Sequence, residues 1–144
     1  MTEINEERQI RLEGAHNVRD IGGYKAEKGM ITKWKKFIRA DGLENLSRAD
    51  MEKLFDYGLS IDIDLRSDME YESWIDVLSH CSKIKYYQVE LLRDLKMTFG
   101  SLGGIYVNTA DSNQKKFYEV FKIMADNPEK TILFHCAAGK DRTG

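Results

Sequence analysis

Apolar and polar residues alternate over 59–65, with Leu59, Ile61, Ile63 and Leu65 set against Ser60, Asp62 and Asp64. A period of two predicts a strand with those four apolar side chains on one face. If helices cover both faces of the sheet, Asp62 and Asp64 fall in a costly environment and need partners, Arg66 being one candidate. Short apolar runs at 37–39, 83–89 and 131–134 predict three more strands. Between them the period lengthens. Met51, Leu54 and Phe55 mark a helix opened by Ser47 with Asp50 as a capping-box partner and stopped by Gly58. Ser67 opens a short helix that runs to Trp74. Phe117, Val120, Phe121 and Met124 form the stripe of another, which Asp111 to Gln114 would cap and Asn127-Pro128 would end.

Other stretches lack periodicity. Residues 1–13 are charged and predicted frayed or loosely docked. Residues 14–24 hold Gly14, Gly22 and Gly23 and read as an irregular edge segment with a tight turn, and 25–30 as a further turn. There Arg19 and Asp20 are either surface charges or an ion pair under a site. Residues 91–110, with Gly100, Gly103 and Gly104, read as a long loop of the kind that serves as a lid or binding segment. Alternating strands and helices make an α/β fold with a largely parallel sheet flanked by helices. Ligands of such sheets bind beyond the carboxyl ends of the strands, where Cys136 and Asp64 fall.

The chain has 144 residues and 42% hydrophobic content, enough for the core of a single domain over 1–144. A formal charge of -2 supplies no global field for nucleic acid or membrane. No apolar run approaches transmembrane length, and the first residues are polar and acidic, unlike a secretory leader. Two cysteines, Cys81 and Cys136, do not make a disulfide framework. Together these features point to a cytoplasmic, reducing compartment.

The chemistry concentrates at 135–144, His-Cys-Ala-Ala-Gly-Lys-Asp-Arg-Thr-Gly. A cysteine follows an apolar strand, and five residues later comes an arginine. Ala137, Ala138 and Gly139 keep side chains out of the way, so that backbone N–H groups can turn inward around an anion. Arg142 can fork two hydrogen bonds to phosphate oxygens. A free thiol titrates near ~8.5, and such surroundings favour the thiolate. A buried, inert core cysteine is the bland alternative.

This run resembles the loop of bacterial tyrosine phosphatases that read His-Cys-x-x-Gly-Lys-Asp-Arg-Thr-Gly, some of which also act on phosphoinositides. Asn-Val-Arg-Asp-Ile-Gly-Gly-Tyr over 17–24, Arg-Ala-Asp over 39–41 and Asp-Leu-Arg-Ser over 64–67 look like that family's other motifs, in the same order. The resemblance runs from about residue 14 to 144. It implies a cysteine-phosphatase-like fold, and a longer protein in which 1–144 is the N-terminal portion of the domain, truncated after the phosphate-binding loop.

It also implies a phosphomonoester hydrolase, most simply a protein-tyrosine phosphatase, acting on phosphorylated protein or on phosphoinositide. Cys136 would be the nucleophile. Ala137, Ala138, Gly139, Lys140, Asp141 and Arg142 would bind phosphate, and neither metal nor cofactor is needed. His135 would orient the loop, and Thr143 would either donate to the thiolate or cap a following helix. Lys140 is a rim charge or a solvated lysine. Asp64 matches the aspartate to which the general-acid role has been attributed, unless it is a structural partner of Arg66; Asp94 and Asp141 are the alternates, and Asp141 could instead pair with Lys140 or Arg19. Cys81 is a core residue or a disulfide partner that protects Cys136. Among Trp74, Tyr86, Tyr87 and Tyr106, mostly core candidates, one on the loop could stack on a phosphotyrosine ring. Two rival readings are a phosphate-binding module without turnover, and a sulfur-transfer enzyme of rhodanese type.

Overall fold

Among the described residues five strands form one sheet in the order β1-β2-β5-β3-β4. They are β1 (Arg19–Asp20), β2 (Phe37–Ala40), β3 (Leu59–Asp64), β4 (Lys85–Gln88) and β5 (Thr131–His135). The edge strand β1 runs antiparallel to β2, and every other pairing is parallel. This computed structural model describes residues 6–91 and 101–144. The expected α/β architecture is present. Ala40, Asp64 and Gln88 stand in register with or beside His135, so the carboxyl ends of four strands converge where the loop begins.

The α-helices among the described residues are α1 (Arg48–Tyr57), α2 (Asp68–Ser73), α3 (Leu102–Ser112) and α4 (Gln114–Asp126). The predicted capping box exists at Ser47/Asp50, and Ser67 and Glu70 form a second one at the start of α2. Gly58 ends α1 in the left-handed conformation, φ 111°. Asp50 does more than cap. It also accepts the N–H groups of Glu13 and Gly14 at 2.8 and 2.9 Å, tying the N-terminal segment to α1. Burial pushes its carboxyl up, but those N–H groups and that of Ser47 hold it below the ordinary value.

The core divides at the sheet. One cluster joins Ala15, Val18, Ile38, Leu54, Leu78 and Leu133; the other joins Ile61, Ile63, Leu65, Val120, Ile132 and Cys136. Leu59 packs in the first cluster, not with Ile61, because the ladder shifts register between those two residues. Among the described residues no helix is long and apolar enough to cross a membrane.

Several expectations are corrected. Residues 6–13 are docked: Ile10 donates to the carbonyl of Val18, and Arg8 bonds the carbonyls of Gly22 and Gly23. Asp20 is fully buried and accepts Gly22 N–H, Lys35 N–H and the Tyr57 hydroxyl, so it neither faces solvent nor pairs with Arg19. The later half of the expected 91–110 loop is helix α3, with Ser101 capping onto Gly104 N–H. Asp111 lies inside α3 and not at a cap; Asn113 separates the helices, its side chain donating back to Thr109 O. On α4, Val120 and Ile123 are buried while Phe121 is 63% exposed. Trp74 and Tyr106 are exposed as well.

Candidate active site

The loop after β5 is shaped from outside by what holds its carbonyls. Ala137 O accepts Gly42 N–H at 3.0 Å, Ala138 O accepts Asn17 Nδ2 at 3.0 Å, and Gly139 O accepts Arg39 Nη2 at 2.8 Å. In a trans peptide the following N–H points opposite to the C=O, so these anchors turn the amides of 138–140 inward. Gly139 has φ 65°, and a Cβ there would lie 2.5 Å from Ala40 O. Only glycine allows the loop to pass this close to the end of β2. Asn17 is itself fixed: its N–H bonds Asp41, and Arg19 donates to its Oδ1.

Inside the loop sits the Cys136 thiol, 2% exposed. The Thr143 hydroxyl donates to Sγ at 3.1 Å, which is the first of the two roles expected for that residue. Burial pushes the thiol up, yet the Thr143 hydroxyl and the backbone N–H groups of Thr143, Gly139 and Lys140 together hold it below its ordinary value. Thus amides of the loop expected to bind an anion already point at the sulfur. Cys81 and Cys136 are both free thiols in opposite clusters, Cys81 packing against the group around Leu78.

Arg142 reaches the sulfur and is gripped from behind by Glu70, with Nη1–Oε2 2.6 Å and Nη2–Oε1 2.8 Å. The fork drives the Glu70 carboxyl down to about 2, with help from the Ser67 N–H and against burial. Glu70 carried a legible signal as a capping residue, but its reach to Arg142 is a contact between distant segments.

Asp64, expected as the acid, does not face the loop's open side. It is fully buried, and its oxygens accept Arg66 Nε at 2.9 Å, Arg66 Nη2 at 2.9 Å and Tyr86 Oη at 2.8 Å. A buried carboxylate enclosed by these partners has no path to a leaving group. The structural pairing with Arg66 is the reading that fits. Asp141 stands at the exposed rim, where Tyr106 donates to Oδ1 and Lys140 Nζ lies 3.8 Å away. Arg19 is turned to Asn17 instead of Asp141. Lys140 has a side chain 73% exposed. Asp94 lies outside the described residues.

Behind the loop, His135, Asp62 and Asp76 are the described residues that bring three ligand-type atoms together, all buried. Overall, the loop can hold a tetrahedral oxyanion against an ionised sulfur, with one guanidinium beside it and one carboxyl at the mouth.

Comparisons with known proteins agree with that chemistry. The sequence profile described as the tyrosine phosphatase family matches residues 10–144. A tyrosine-protein phosphatase of Nostoc commune is 35% identical over 116 residues, 75% of this chain and 40% of that protein. A provisionally named tyrosine-protein phosphatase of Cupriavidus necator is 27% identical over 139 residues, 89% of this chain and 51% of that protein. The chain thus spans about half the length of these relatives, or less.

Proposed function

The chain belongs to the tyrosine phosphatase family, and from that premise we propose that it hydrolyses phosphomonoesters, phosphotyrosine in proteins foremost, through a phosphocysteine at Cys136. The observation that carries the reading is the loop whose carbonyls at 137–139 are tied outward while three N–H groups and the Thr143 hydroxyl converge on the sulfur. The substrate phosphate takes the place those donors define, its oxygens bound by the amides of 138–140 and by Arg142. The Cys136 thiolate attacks phosphorus, and the P–O bond to the leaving group breaks. Asp141 gives its proton to the departing oxygen and then takes one from the water that hydrolyses phosphocysteine. Thr143 stabilises the thiolate as it leaves. We assign the acid role to Asp141 over Asp64 because it is the carboxyl at the rim. A reducing, cytoplasmic setting belongs to the same reading, since the thiol must stay reduced.

The test sets a phosphotyrosine peptide beside a phosphoinositide, with the wild-type chain and Cys136→Ser. Turnover of the peptide by the wild type, and its binding without turnover by the variant, is the expected result. Binding without turnover by both would favour the phosphate-binding module. Preference for the phosphoinositide would move the substrate class.

A further inference from the structure

The turn that closes the loop fixes where Asp141 stands but not where its carboxyl points. Lys140 O accepts Gly144 N–H at 2.9 Å, so residues 141–143 form one turn, and that turn presents Thr143 to the Cys136 sulfur. The Asp141 side chain is 48% exposed. The last torsion of an aspartate is broad and roughly two-fold, so a carboxyl with nothing to hold it swivels freely. Two groups hold this one. The Tyr106 hydroxyl donates to Oδ1, and Lys140 Nζ stands 3.8 Å from the same oxygen. Among the described residues no donor is placed on Oδ2.

That asymmetry assigns the proton. A protonated carboxyl has one hydroxyl oxygen and one carbonyl oxygen, and the carbonyl oxygen is the better acceptor. With Tyr106 and Lys140 both on Oδ1, the acid's hydrogen belongs on Oδ2. As the P–O bond breaks, Oδ2–H passes its proton to the departing oxygen, and the bonding pair of O–H stays on the new carboxylate. Both partners remain on Oδ1 and offset the charge that appears there. The hydrogen bond to Asp141 keeps the phenol above its ordinary value, so Tyr106 retains the hydrogen that it donates.

Tyr106 reaches the rim because of how α3 is seated. Residues 106, 109 and 113 fall on one face by their spacing of three and four. Thr109 and Asn113 are buried there, and the Asn113 amide donates to Thr109 O at 3.0 Å. This end of the face anchors the helix. Tyr106 lies one turn nearer the N-terminus, where the same face runs out past the core to the loop.

We propose that Tyr106 is a positioning residue for the general acid: it pins Oδ1 of Asp141 and so aims Oδ2 at the leaving oxygen. The inference rests on Asp141 being the acid, and the experiment separates the two. One rival is a hydroxyl that only docks α3 on the loop, which would change stability. Another is a ring that forms a wall of the mouth, which would change substrate binding. Neither makes the effect of the hydroxyl depend on the leaving group.

Tyr106→Phe keeps the ring and removes the hydroxyl. The substrates are a phosphotyrosine peptide, whose phenol leaves poorly, and an activated aryl phosphate, whose phenol leaves with little help. The readout is kcat/KM, which covers the steps through P–O cleavage and not the later hydrolysis of phosphocysteine. Tyr106→Phe should lower it about tenfold for the peptide, through lost aim, and by less than about twofold for the activated substrate. On a Cys136→Ser background, peptide affinity should be the same with Tyr or Phe at 106. In Asp141→Asn the further change Tyr106→Phe should cost nothing more, because the two residues act as one unit.

The proposal is overturned by wild-type peptide kinetics in Tyr106→Phe, by equal losses on both substrates, by a fall in affinity that accounts for the loss, or by an undiminished loss on the Asp141→Asn background. If Asp141→Asn shows the leaving-group dependence and Tyr106→Phe does not, the positioning role fails and Asp141 remains the acid. If Asp141→Asn shows none, the acid assignment fails and the positioning role falls with it. A wild type that turns over neither substrate removes the phosphatase reading and this inference together.

Discussion

Glu70 and Arg142 face each other as a two-point fork, 2.6 and 2.8 Å, with Glu70 gripping the guanidinium from behind. Glu70 also caps α2, so the helix that follows β3 sets the direction of the guanidinium. The end-on fork leaves Nε and one hydrogen on each terminal nitrogen for a ligand. Glu70→Gln retains an oxygen for Ser67 N–H but breaks the fork, since its amide hydrogens oppose those of Arg142. The expected result is a fall in kcat/KM of about tenfold, ~1.4 kcal/mol. The Glu70 carboxyl sits at about 2, below its ordinary 4.5. The stability it adds is therefore present above pH 4.5 and is lost as pH falls through about 2. Urea midpoints of wild type and variant should converge at the acid end, and unchanged kinetics would remove Glu70 from the site.

Asp141 and Asp64 make opposite predictions. Asp141→Asn should slow phosphotyrosine hydrolysis by about 10²-fold, and activated aryl phosphates by much less, because only a poor leaving group needs the proton. Asp64→Asn should slow both equally and lower the melting temperature. It leaves the buried Arg66 without its charge partner, at a cost on the order of 3 kcal/mol. A leaving-group dependence seen with Asp64→Asn and absent from Asp141→Asn would reverse the assignment.

The Thr143 hydroxyl does most among the groups that hold the Cys136 thiol down against burial. Thr143→Val should raise the thiol back toward its ordinary value. Activity needs the thiolate, so the ascending limb of kcat/KM moves to higher pH. The deficit is then largest on the acid side of the wild-type midpoint and shrinks above the new one. A leaving thiolate without its donor also departs more slowly, so a burst of leaving group should precede a slower steady state. A profile that superimposes on the wild type would count against the Thr143 bond.

What the sequence made legible was what is local. The spacing from Cys136 to Arg142 lies within one loop, the Ser47/Asp50 capping box spans three residues, and the alternation over β3 pointed to the aspartates in need of partners, with Arg66 as a candidate. Helix α3 was missed because Gly103 and Gly104 lie in its first turn, and glycine weakens a helix; the Ser101 cap was the available signal. The sequence left Asp64 between acid and structural partner of Arg66, because period two tells which residues are buried, not which carboxyl faces a ligand. Glu70 and Asn17 were out of reach because their partners lie 72 and 121 residues away.

Asn17 offers the sharpest test of how the loop is made. Its amide bonds Ala138 O at 3.0 Å and Gly139 O at 3.3 Å, while Arg19 binds its oxygen and so fixes which way the amide points. None of these atoms touches the sulfur. If the inward amides depend on outward carbonyls, removing the donor should weaken oxyanion binding even though the anion's own contacts survive. Asn17→Ala should raise the dissociation constant for inorganic phosphate about tenfold, the loss of one well-placed bond of ~1.4 kcal/mol. Asn17→Asp should do worse, since it sets a carboxylate oxygen against two carbonyls that had a donor. Titration calorimetry on the three proteins gives the order directly. Equal affinities across wild type, Ala and Asp would mean that the loop keeps its shape without this brace, and that Asn17 and Arg19 serve the edge of the sheet alone.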